Sequence, residues 1–191
     1  MKGAELSRFL AYALRHHPDA IGVSLDRAGW VDVDLLLAAL ARHGRTVERV
    51  ELERLVGAPG KQRFEIVDGR IRAAQGHSVD VDLELAPVTP PALLFHGTVE
   101  RSLPSIERQG LLPMGRRHVH LSGDRPTARI VGARRGQPVI LRVDAAAAHA
   151  AGHPFLLATN GVWLTDQVPP KYLSREPGGT ALSGSLPAPS G

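Results

Sequence analysis

The chain contains no cysteine, which excludes disulfides and thiolate metal sites and accords with a cytoplasmic protein. Aromatic residues make up only 4% of its 191 residues, so a platform stacking single-stranded bases would have few members. No apolar run approaches the roughly 18 residues that a membrane span needs, and none is expected. The opening stretch MKGAELSRFL lacks the apolar segment and small-residue cleavage site of a secretory signal. There is no P-loop and no GxGxxG run following a strand, so Walker and Rossmann readings have no support. No serine stands in a nucleophile elbow.

What is present is basic and globular in composition. Hydrophobic residues account for 43%, the formal net charge is +4 and the pI is near 10.1, a balance that leans toward a polyanionic partner. In LSRFLAYALRHHPDAIG, residues Leu6, Phe9, Leu10, Ala13 and Leu14 recur at the spacing of an amphipathic helix. Pro18 should end that helix near His16 or His17. A second helix should start at a cap formed by Asp32 or Asp34 and stop at Gly44. Thr46 is the expected cap of a third. KQRFEIVDGRIRAAQ then alternates around Asp68-Gly69, a strong hairpin signal. Three helices and a two-stranded wing predict a winged-helix lobe over residues 1–85, a fold that binds nucleic acid in some proteins and protein in others.

APVTPPALL supplies a proline-stiffened linker at 86–91. From 92 to 173 the pattern changes to short strands (ALLFH, HVHLS, PVILRVD, PFLLA, GVWLT) with short helices between them, predicting a compact mixed sheet. The fold class is therefore α+β. Residues 174–191 are rich in Gly, Ser and Pro and are expected to be disordered.

Several polar residues stand in unusual company. Arg15 and His16 end the first helix, where cations complement the dipole or hold an anion. Arg63 opens the expected strand RFEI, while Arg70 and Arg72 alternate on its partner and share a face. QGHS follows, offering Gln75, His77 and Ser78. Arg134 and Arg135 lie between glycines in GARRG. Guanidinium forks match phosphate oxygens bidentately, so these arginines together would suit a phosphate. His96, Gly97 and Thr98 stand where a strand runs into a turn, a common place for ligand groups. His118 and His120 share a strand face, but no third ligand is near in sequence and no metal is expected.

The runs LRHHPDAIGVSLDRAGWV, KQRFEI, IRAAQGHS, FHGT, RRHVHLSGD, TARIVGARRG and NGVWLT, in this order, resemble the RNA 2′-phosphotransferase family from residue 5 to about 173. That resemblance implies a winged-helix lobe followed by a lobe of the ADP-ribosyltransferase fold. It implies NAD as a consumed co-substrate, and RNA bearing an internal 2′-phosphate, such as one left at a ligated splice junction, as partner. The implied enzyme is a cytoplasmic monomer without a metal. In the implied reaction the 2′-phosphate attacks the anomeric ribose carbon of NAD and expels nicotinamide. The ribose 2″-hydroxyl then attacks phosphorus, giving 2′-hydroxyl RNA and ADP-ribose 1″,2″-cyclic phosphate.

The family's catalytic Arg-His-Arg-Arg set maps onto Arg15, His16, Arg63 and, for the fourth member, Arg134, with Arg129 and Arg135 as neighbouring competitors. His96, Gly97, Thr98, His120, Leu121 and Ser122 are the implied NAD contacts. Arg70, Arg72, Gln75, His77 and Ser78 are the implied RNA contacts. ADP-ribosylation of a terminal RNA or DNA phosphate, which uses only the first step, is the rival activity for the same site.

Overall fold

A first helix, α1 (Gly3–His16), opens the computed structural model, which describes residues 3–59 and 62–176. Its apolar stripe is the buried face: Leu6, Leu10, Ala13 and Leu14 have no exposed surface. Pro18 ends it as expected, forcing His17 out of the helical region (φ −142°, ψ 63°) and opening a 3-10 turn over Pro18–Ile21. A short strand, β1 (Val31–Asp32), leads directly into α2 (Val33–Arg42). The Asp32 carboxylate caps α2 by accepting the N–H groups of Asp34 and Leu35 at 2.8 and 3.0 Å, a bond set that stabilises a helix by about 1 kcal/mol. α3 (Arg49–Gly57) begins later than its expected Thr46 cap, from Glu48, whose side chain makes no capping bond. Val47 is drawn into the core, 7% exposed, and this keeps the chain extended up to Glu48.

The hairpin consists of β2 (Phe64–Val67) and β3 (Arg70–Ala73). Asp68 and Gly69 both take positive φ, 48° and 73°, the pair of left-handed residues a two-residue type I′ turn requires. β1 pairs with the far edge of β3, giving the antiparallel order β1-β3-β2. Arg63 lies one residue before β2, although its carbonyl still accepts the Ala74 N–H at 2.9 Å. The stripes of α1 and α2 close over Phe64 and Ile71 to form one core.

A second core gathers around Leu94, Leu121, Val143, Phe155 and Val168. It is built from β4 (Leu93–Val99), α4 (Leu103–Gln109), β5 (Val119–Leu121), α5 (Arg125–Gly132), β6 (Pro138–Asp144), α6 (Ala145–Ala150), β7 (Leu156–Leu157), β8 (Trp163–Thr165) and β9 (Leu173–Arg175). Two antiparallel sheets, β4-β6-β9 and β5-β8-β7, are joined where Phe95 and Ser122 exchange backbone hydrogen bonds of 2.9 and 2.8 Å. The architecture is thus α+β, with three small antiparallel sheets among the described residues.

Three local expectations change here. β4 does not stop at His96 but pairs with β6 through Val99↔Pro138, so Gly97 and Thr98 lie inside a strand. α6 was not anticipated, because its AAAAHA sequence has no apolar-polar period; Asp144 caps it by accepting the Ala147 N–H at 2.9 Å. Ser174 and Arg175, expected to begin a disordered tail, form β9 against Arg142 and Leu141. Residues 177–191 lie outside the described residues. The proline-rich stretch is stitched to the second core, since the Val88 N–H donates to the Phe155 carbonyl at 2.8 Å.

Candidate active site

The C-terminal end of α1 meets the segment that leaves β3. The N–H groups of Ser78 and Val79 both donate to the Arg15 carbonyl, at 2.9 and 3.4 Å, occupying an acceptor that the helix end leaves unpaired. The Arg15 side chain lies along Gly76, whose missing Cβ would sit 3.6 Å from its Nη1. Arg15 Nη2 donates to the Arg63 carbonyl at 3.4 Å, and Arg63 Nη1 donates to Ser7 Oγ at 3.2 Å. Beside them, His16 Nδ1 and Ser78 Oγ are hydrogen-bonded at 2.9 Å.

The facing wall comes from the turn before β5. Arg116 Nη1 donates weakly to His120 Nδ1 at 3.4 Å. The Arg117 N–H donates to the His77 carbonyl at 3.3 Å, and its guanidinium pairs with Asp80, so this turn ties the two halves of the chain together. His77, only 3% exposed, and His120 line a small cavity of about 10 Å³ between the halves. Each ring keeps a buried Nε2 that bonds to none of the described residues. Further along, His96 Nδ1 donates to the His120 carbonyl at 3.1 Å. With a neutral ring, that leaves Nε2 as an acceptor.

Crowded cations dominate the electrostatics. Arg15 is lowered to about 10, first by burial and then by the charges of Arg63 and Arg116. His16 is lowered by burial, then by Arg15, Arg116 and His17. His77 falls to about 4 and His120 to about 3, again by burial before charge, with Arg15 acting on both. Burial also lowers His96 and Arg116, the latter with help from Arg135 and Arg134. Cationic groups that depress one another in this way are of a kind that an anion would offset.

The chain matches the RNA 2′-phosphotransferase, Tpt1 / KptA family over residues 2–167. It is 53% identical over 178 residues to a probable RNA 2′-phosphotransferase of Streptomyces griseus, covering 88% of this chain and 94% of that protein. Similar proteins so named in Nostoc punctiforme and Pseudomonas aeruginosa are each 51% identical, covering 90% and 88% of this chain and 96% and 94% of theirs. The chain belongs to the RNA 2′-phosphotransferase family.

The arrangement sorts the residues singled out from the sequence of this family member. Arg15, His16 and Arg63 come together, and His96 and His120 are joined by a hydrogen bond. Arg134 and Arg135 are exposed on a 3-10 turn after α5 and act on Arg116, whereas Arg116 itself acts on Arg15 and His16. Arg116 was not singled out, although the run RRHVHLSGD contains it; its importance rests on where that turn lands. Arg129 is exposed on α5.

The other residues differ in burial and partners. Arg72, 9% exposed, donates to Glu65 at 2.6 Å and to the carbonyls of Ala28 and Leu83 at 3.2 and 3.1 Å. Arg70 is exposed and pairs with Asp26 at 2.9 Å. Leu121 is a core residue, 1% exposed. Thr98 is buried, Ser122 bridges the sheets through its backbone, and Gln75 is half-buried. Among the described residues no cluster of three His, Asp or Glu side chains forms a metal site, and no helix is long and apolar enough to cross a membrane.

Proposed function

We propose that this chain removes an internal 2′-phosphate from RNA, with NAD as the consumed acceptor. The observation that carries the reading is the convergence of Arg63 and Arg116 on Arg15, the residue next to His16, where the two halves of the chain meet. We assign Arg116, not Arg134, as the fourth member of the catalytic set. Three guanidinium groups orient a dianionic phosphate and offset the charge that builds at phosphorus.

Three helices with the β2-β3 hairpin fit a winged-helix lobe, and the paired sheets after residue 92 fit an ADP-ribosyltransferase-like lobe. The residues between the sheets suit NAD. His96 presents an acceptor Nε2 to a ribose hydroxyl, and Thr98 and Ser122 flank it in sequence and across the sheet bridge. The RNA phosphate attacks the anomeric carbon as the bond to nicotinamide breaks. In the second step a P–O bond forms to the ribose 2″-oxygen while the bond to the RNA 2′-oxygen breaks. One proton leaves the 2″-hydroxyl and one reaches the RNA oxygen. His16, whose basicity is lowered by burial and its cationic neighbours, relays it.

The test is incubation with a short RNA carrying one internal 2′-phosphate, with and without NAD, following RNA and small molecules by mass spectrometry. NAD-dependent phosphate loss with release of ADP-ribose cyclic phosphate is expected. An RNA that gains ADP-ribose and stalls would replace this reading with a transferase that uses only the first step, the chemistry of terminal-phosphate ADP-ribosylation. In His16→Ala, the ADP-ribosylated RNA should accumulate.

A further inference from the structure

Ser78, one of the implied RNA contacts, also meets the end of α1. Its backbone N–H is fixed on the Arg15 carbonyl at 2.9 Å, and its Oγ reaches the imidazole of the next residue, His16, at 2.9 Å. Two points of attachment on consecutive residues leave the hydroxyl little freedom relative to the ring. Gly76, whose φ of +91° is a backbone conformation that other residues rarely adopt, lets the chain turn back to make them.

We propose that Ser78 is the positioning residue of His16: its hydroxyl holds Nδ1 and leaves Nε2 as the ring nitrogen presented to the phosphate. The inference rests on the function proposed above. A hydroxyl suits the task better than a carboxylate or a carbonyl. It donates to Nδ1 when Nε2 carries the proton and accepts from Nδ1 when Nε2 does not, by rotation about one bond. The ring can thus exchange tautomers during a proton relay without moving. A carboxylate in the same place would hold the proton on Nδ1 and raise the ring's basicity. The groups facing the ring are otherwise cationic or basic: Arg15 and His17 on α1, Arg116 from the turn before β5, and His77 beside Ser78. None of them is an acidic orienter. Ser78 is exposed, so the fold does not depend on its side chain.

The experiment compares the full chain with Ser78→Ala and Ser78→Thr. Proton-nitrogen spectra of ¹⁵N-histidine-labelled protein, without substrate, read the state of the His16 ring. Single-turnover assays on 2′-phosphorylated RNA with NAD separate formation of ADP-ribosylated RNA from its decay. In Ser78→Ala the Nδ1 signal should move and the decay step should slow about 5- to 10-fold, the loss of one hydrogen bond. Formation and the apparent affinity for NAD should hold. Ser78→Thr should restore both signal and rate. Unchanged ring signals in Ser78→Ala would show that the contact does not exist in solution and overturn the proposal, whatever reaction the enzyme performs. Moved signals with unchanged decay would also overturn it. A wild-type protein that leaves the RNA untouched refutes the function itself, and the ring spectra still decide the contact.

Discussion

The Cβ that Gly97 lacks would lie 1.8 Å from the carbonyl oxygen of Ala128 and 2.7 Å from the backbone nitrogen of Gly132. Gly97 in FHGT is therefore required by the packing of α5 on β4. Both obstacles are backbone atoms, so no side chain can rotate away. Gly97→Ala should destabilise the protein by at least about 1–3 kcal/mol, as overpacking does. Each kcal/mol lowers Tm by roughly 2–4 °C at this size, which calorimetry reads. A variant melting with the wild type would show that α5 can lift off the strand freely.

Arg116 and Arg134 separate two assignments of the fourth cation. Arg116→Ala should lower 2′-phosphate release by about 100- to 1,000-fold, the effect of deleting one donor to developing charge. Arg134→Ala should have a much smaller effect. Because Arg116 sits among like charges, its loss should leave Tm unchanged or slightly higher. Comparable losses in the two variants would return Arg134 to the site.

Arg72 and Arg70 share a strand face but differ in burial. Arg72→Ala leaves Glu65 and the carbonyls of Ala28 and Leu83 without their donor. Breaking a buried pair of this kind costs about 3–5 kcal/mol. Arg70→Ala removes an exposed pair worth at most about 1 kcal/mol. Urea titrations of the two variants should differ accordingly, and an equal response would remove Arg72 from the framework.

His77 makes stability depend on pH. It is held to about 4 in the folded protein against 6.5 for a free histidine. Below the free value the unfolded chain binds a proton that the folded chain refuses, so stability falls as pH drops from about 6.5 toward 4. The full loss is on the order of 3 kcal/mol. His120, held to about 3, extends the same trend to lower pH. Denaturant midpoints measured from pH 7.5 down to pH 4.5 should decline, and His77→Gln should flatten the decline. A wild-type midpoint constant across that range would contradict the burial of a neutral ring.

The local signals in the chain decided most of the elements. Leu6, Leu10 and Leu14 mark the buried face of α1, Pro18 marks its end, and Asp68-Gly69 marks the hairpin turn, because each depends on neighbours within a few residues. Family motifs singled out Arg15, His16 and Arg63, and the fold brings Arg15 and Arg63 into contact. The extension of β4 through Val99 was not, because Gly97 reads as a turn residue until α5 is laid against it. β9 was hidden in a Gly/Ser/Pro-rich context, since its pairing partner in β6 lies 30 to 34 residues earlier.

The sequence by itself determined that this is an α+β chain of the RNA 2′-phosphotransferase family, with its cations spread along most of its length. Only the tertiary structure decided which of those cations meet. Arg134, Arg116 and Arg72 carry the same charge on equally polar stretches, and composition cannot rank them. Docking of the turn before β5 on His77 brings Arg116 to Arg15, the 3-10 turn after α5 leaves Arg134 exposed, and the β2-β3 hairpin buries Arg72 beneath Glu65 and two carbonyls. Charge effects depend on distance and desolvation, and both are properties of the packed chain.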